Sequence, residues 1–164
     1  MARTPLTVER ILSVLNETPK HLAALTVDLT PQQLRTAPGP GEWSANEVLA
    51  HLRSCADVWG DCISRMLAEE HPTLRAIDPR TWTERTDYPE LEFGTSLHAF
   101  TSQRAELLAV LEPLPAESWT RTATVTGAGA PLVRTVHAYA RRMARHERPH
   151  IKQVARIIES LPAS

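Results

Sequence analysis

The stretch VHAYARRMARHERPHIKQVARIIESL, residues 136–161, decides how this chain folds. Within it Val136, Ala140, Met143, Glu147, His150, Val154, Ile157 and Leu161 recur in steps of four and three. That spacing turns one stripe of a helix toward its neighbours, as in the seam of a packed bundle. Glu147 and His150 are the polar members of the stripe. An ionisable group buried without a partner is costly, so a charge or a metal ion should face this part of the helix. The helix is predicted from about Leu132 to Leu161.

The chain N-terminal to it reads in the same way. Val48, Leu52, Cys55, Trp59, Cys62 and Met66 repeat the alternation and predict a helix from Ser44 to about Glu70, with Ser44 as N-cap and Glu47 at the reciprocal position of a capping box. A third helix is predicted over Thr95 to Glu112, with Leu97, Phe100, Leu107, Leu108 and Leu111 inward and Pro113 and Pro115 ending it. The first begins near Thr7 with Val8, Ile11, Leu12 and Leu15. Pro19, which has no N–H, is expected to interrupt it before the chain resumes at Lys20. Thr30-Pro31-Gln32-Gln33 opens a short capped helix. Residues 71–93 form a long irregular connection, expected to cross the bundle or cover a site, and a second irregular stretch holds Trp119 and residues 126–131. No alternating run is long enough to suggest a sheet. The expected fold is all-α: an up-down-down-up-like four-helix bundle with long connections between helices 2 and 3 and helices 3 and 4, one domain over residues 1–164.

Hydrophobic residues make up 42% of the chain, enough for a core, and 18 basic against 19 acidic residues leave a formal charge of −1. That balance argues against nucleic acid, which demands a strong basic footprint. No apolar run approaches the ~20 residues of a membrane span, and Met1-Ala2-Arg3-Thr4-Pro5 lacks a leader's apolar stretch. A cytoplasmic setting is expected, with Cys55 and Cys62 as reduced thiols.

His146 and His150 stand four apart, on one helical face, where two imidazoles can share a cation. His51 lies at the edge of the second long helix's apolar stripe, on the flank of Cys55 and Cys62. Packing these helices together could bring three rings to one point. Three protein ligands with a position left open is the usual form of a reactive metal site. Cys55, one turn beyond His51, could add a fourth ligand, serve as a redox thiol or simply pack in the core.

GEWSANEVLAHL, residues 41–52, resembles the entry to the second helix in the DinB-like superfamily, which includes bacillithiol-transferase-like and mycothiol-dependent isomerase proteins. HERPHIKQ, residues 146–153, resembles that family's closing motif, a His-x-x-x-His followed by an aliphatic residue and a Gln. The resemblance covers nearly the whole chain. It implies a four-helix bundle, often dimeric, with one divalent metal ion, nickel or zinc, on His51, His146 and His150. Imidazole alone does not choose between those metals. Pro149, between two of these histidines, departs from the pattern. It should bend the helix and re-aim His150 toward the metal.

Metal-bound histidines usually donate their second N–H, and Glu47 and Glu147 are the candidates to accept. Glu47 serves equally as a helix cap. Arg145 and Arg148 flank the ligands and are candidates for a substrate carboxylate. No general base can be named. The expected function is a metal-dependent thiol transferase or hydrolase acting on a small molecule, with mycothiol or bacillithiol as candidate co-substrate. The alternative is a non-catalytic metal-binding stress-response protein, with a structural ion. The partners expected are a small-molecule substrate and a second copy of the chain, without nucleic acid or membrane.

Overall fold

The computed structural model describes residues 4–162, so the leader reading at Met1–Arg3 lies outside the described residues. Four long helices form the bundle: α1 (Val8–Thr26), α3 (Ala45–Ala68), α5 (Phe93–Leu111) and α7 (Val136–Ser160). Short helices α2 (Pro31–Leu34), α4 (Pro79–Glu84) and α6 (Ala116–Trp119) and a 3-10 turn at Tyr88–Glu90 lie in the connections. Among the described residues no helix is long and apolar enough to cross a membrane.

The sequence decides most helix ends. Thr7, Thr30, Ser44 and Thr135 each accept a backbone N–H as N-caps, and Thr30 and Ser44 complete capping boxes with Gln33 and Glu47. Pro19 does not interrupt α1, contrary to expectation. A proline leaves the carbonyl four residues earlier without its helical donor. Here that carbonyl, Leu15 O, accepts from Nη1 of the buried Arg104 at 2.8 Å. The helix continues because α5 supplies the missing hydrogen bond. α7 likewise runs through Pro149.

A small sheet was not expected. β1 (Thr73–Arg75) pairs parallel with β2 (Thr122–Thr126), and β2 pairs antiparallel with β3 (Leu132–Thr135). Residues 127–131 turn the β2–β3 hairpin, with Gly127 and Gly129 at φ of 90° and 81°, where a side chain would be strained. Leu132–Thr135 is therefore strand, and α7 starts at Val136 under its Thr135 cap.

The long connection after α3 is fastened to the bundle. Asp57 of α3 accepts from Trp82 Nε1 (3.0 Å), Tyr88 Oη (2.6 Å) and Gln103 Nε2 (2.7 Å). Asn46 Nδ2 donates to the carbonyls of Pro89 and Leu91, and the Arg53 guanidinium lies 3.7 Å from the Tyr88 ring centre.

The core has two apolar halves. One gathers Ile11, Leu15, Trp59, Ile63, Met66 and Met143. The other gathers Leu22, Leu49, Leu52, Phe100, Val154 and Ile157. Between them on three helices lies a polar layer of Thr18, Arg104 and Glu147, each no more than 3% exposed. Arg104 pairs with both oxygens of Glu147, and Thr18 Oγ1 donates to Glu147 Oε2 at 2.6 Å. Arg104 is thus the charge that the polar seam position 147 required.

Removing one member of a buried pair strands the other's charge. Arg104→Ala should therefore destabilise the fold by about 3–5 kcal/mol, read from denaturant unfolding, and Arg104→Ala with Glu147→Leu should recover part of that. A loss below about 1 kcal/mol, the range of an exposed pair, would contradict the assignment.

Candidate metal centre

α3 carries His51 in its second turn, and α7 carries His146 and His150 one turn apart. The two helices pack together and bring the three rings to one point. His146 Nε2 lies 2.9 Å from His51 Nε2 and 3.1 Å from His150 Nε2. His150 Nδ1 donates to Gln153 Oε1 at 2.7 Å. The Gln oxygen can only accept, so a neutral His150 carries its proton on Nδ1 and presents a bare lone pair at Nε2.

That tautomer constrains the cluster. Only His146 could donate across the His146–His150 contact, and its single Nε2 proton cannot also serve His51. If His146 lacks that proton, the contact with His150 sets two lone pairs together. Neutral rings therefore cannot satisfy both contacts by hydrogen bonding. A cation satisfies all three lone pairs at once. Metal–nitrogen bonds of about 2.0–2.1 Å also put neighbouring ligand nitrogens roughly 3 Å apart, so the His51–His146 and His146–His150 spacings each fit a divalent ion.

Burial above all, and then the charge of His150, holds His51 and His146 at about 4, below their ordinary 6.5. Both rings are neutral at pH 7, the form that binds metal. Trp43 packs against His51 and stacks on His150, with ring centres 5.1 and 6.3 Å apart, and Trp59 meets His146 edge-on at 5.2 Å. His51 Nδ1 is buried without a hydrogen-bond partner among the described residues.

Cys55 adjoins the cluster. Its Sγ is 3.6 Å from His51 Nε2, and with His51 and His146 it forms a compact donor set whose ligand atoms all lie within 4.8 Å of one another. Burial pushes this thiol up to about 12, so it is protonated at neutral pH. Cys55 and His150 thus both stand beside the His51–His146 pair as candidates for the third donor.

Other sequence expectations need correcting. Glu47 Oε2 accepts from the Ser44 backbone N–H at 2.7 Å, so it caps α3. Glu147 is taken up by Arg104 and Thr18. The acceptor found beside the histidines is instead Gln153, one turn beyond His150. Its i, i+3 spacing was the available signal. The histidines open onto a cavity of about 580 Å³ whose arginines are Arg80, from α4, and Arg156. Arg145 opens into a neighbouring concavity, and the exposed Arg148 lines neither. Glu42 is the sole carboxylate of the histidine cavity's lining.

Among known proteins, the profile of the DinB superfamily matches residues 15–154. A Bacillus subtilis (strain 168) protein named "Putative metal-dependent hydrolase YfiT" is 28% identical over 116 residues, 69% of this chain. The match spans 64% of that relative's length. A solved structure described as "YfiT from Bacillus subtilis is a probable metal-dependent hydrolase with an unusual four-helix bundle topology" superposes with a TM-score of 0.78 at 22% identity, covering 96% of this chain and 90% of that one. At that identity the likeness speaks for the fold, a four-helix bundle.

The lowered values of His51 and His146 set a pH dependence. The unfolded chain takes up these protons near pH 6.5, the folded chain only near 4, so between those values the unfolded state binds more protons. Metal-free protein should keep this contribution above about pH 6.5 and lose it progressively down to about pH 4. Melting temperatures across that window check it: the slope should flatten in a His51→Gln/His146→Gln variant, and an equally steep slope there contradicts the assignment.

Proposed function

The chain belongs to the DinB superfamily, and from that premise we propose that it is a metal-dependent hydrolase of a small molecule, holding one divalent ion on His51, His146 and His150. The observation that carries this reading is the convergence of three Nε2 atoms whose lone pairs no arrangement of neutral-ring protons can satisfy. The name of the Bacillus subtilis relative points the same way. Nitrogen donors with a sulfur nearby suit zinc or nickel.

When bound, such an ion supplies Lewis acidity, polarising a substrate carbonyl or phosphoryl oxygen and lowering the pKa of water. The protein supplies the rest. Gln153 fixes the orientation of His150, and Trp43 and Trp59 wall the rings. Arg80 and Arg156 bind and orient negative charge on the substrate. Glu42 takes the proton released from the attacking group. A second reading is thiol transfer, with mycothiol or bacillithiol in place of water. The size of the cavity favours it, since about 580 Å³ is more room than water and a small ester need.

Elemental analysis of the purified protein should find about one zinc or nickel per chain, and His150→Ala should lose it. Gln153→Leu should keep the fold and weaken metal binding about 10–100-fold, the usual effect of removing an outer partner, measured by competition with a chromogenic chelator. Protein that binds neither metal on reconstitution overturns the reading.

Hydrolysis of a panel of esters, amides and phosphoesters should vanish on chelation and return with metal. Glu42→Gln should lower kcat about 10²–10⁴-fold, the contribution of a positioned general base, with metal content unchanged. Consumption of mycothiol or bacillithiol with a model electrophile, without hydrolysis, would select the second reading.

A further inference from the structure

His146 also lines a separate concavity of about 420 Å³. Four arginines surround this space: Arg134 from β3, and Arg141, Arg142 and Arg145 from α7. No acidic residue is in its lining. Some arginines elsewhere are held by protein partners: Arg104 holds Glu147, Arg65 holds Glu69, and Arg35 and Arg121 donate to backbone carbonyls. Among the described residues the only salt bridges are those of Arg65 and Arg104, so the four guanidinium groups here face no carboxylate of the fold. Four cations gathered in a chain of net charge −1 repel one another, and an anion among them relieves that repulsion. Guanidinium groups bind carboxylate and phosphate oxygens in matched pairs.

A smaller concavity of about 280 Å³ continues from this one, sharing Arg134, Tyr139 and Arg142. Its other walls are largely apolar, formed by Val58, Trp59, Ile77, Val125 and Leu132. Ile77 and Leu132 are 44% and 47% exposed, large apolar surface left to water. Arg142 joins the two spaces, its guanidinium 5.4 Å from the Trp59 ring centre. A cationic cup thus runs into an apolar trough.

We propose that this composite site binds a small organic anion, its carboxylate or phosphate head among Arg134, Arg141, Arg142 and Arg145 and its apolar body along the trough. The assignment needs no metal and does not rest on the hydrolase reading.

Calorimetric titration with octanoate and octyl phosphate tests it on the full chain. One of the two should bind at one per chain, at least tenfold tighter than acetate or inorganic phosphate, which lack the tail, and than 1-octanol, which lacks the charge. Whichever binds more tightly identifies the head group. Arg141→Gln/Arg145→Gln should weaken binding at least tenfold with an unchanged melting temperature, and Leu132→Ser should weaken it too. Arg148→Gln, which removes a charge from the same helix outside the cup, should leave it unchanged. Binding should persist in His150→Ala and after chelation of the wild type. No saturable binding, equal affinity for the tailless or uncharged probe, or equal weakening by Arg148→Gln overturns the proposal. Loss of binding on chelation also overturns it, by placing the ligand in the histidine cavity.

Discussion

The buried pair between Arg104 and Glu147 is the constraint on which the bundle's arrangement turns. It ties α5 to α7, and through Thr18 and the Leu15 carbonyl it ties both to α1. Burying two charges brings little net stability when desolvation is counted. Its effect is directional. Glu147 directly follows His146, and a helix turns about 100° per residue. Holding Glu147 toward α1 and α5 therefore turns the faces of His146 and His150 toward α3, where His51 waits. The polar layer that divides the core sets the rotation of the helix that carries the histidines.

Much of this was legible in the sequence, because helical periodicity survives any tertiary arrangement. The seams of α3 and α7 and the caps at Thr30 and Ser44 follow from local rules, whereas the Thr135 cap was missed because the β3 strand before it was read as helix. Arg104 was not singled out, although the sequence carried a signal for it. It stands between Phe100 and Leu108, at spacings of four, where α5 should have been apolar. The continuity of α1 was not legible, since the donor that rescues Leu15 O lies 89 residues away. The sheet escaped notice because its strands are three to five residues long and β2 is mostly threonine.

The site shows the same division. Residues on one helix face can be placed together by counting, which pairs His146 with His150, whereas His51, on another helix, joined them through the family resemblance. Which acceptor serves them cannot be counted. Glu47 and Glu147 are near the histidines in sequence, but Glu47 bonds its own N-cap and Glu147 turns into the core. The arginines of the histidine cavity could not be counted either. Arg80 reaches the histidine cavity from a connection whose path no periodicity describes.

The fastening of that connection bears on how molecules come and go. Thr83 donates to Ser54 at 2.6 Å, and Asp57 gathers donors from Trp82, Tyr88 and Gln103, so the segment that carries Arg80 is clamped onto α3. A segment held at so many points is a wall and not a hinged flap. Arg80 therefore meets the histidine cavity from a position that α3 itself dictates, so the charge at the cavity's rim is built into the bundle and not left to a loose loop.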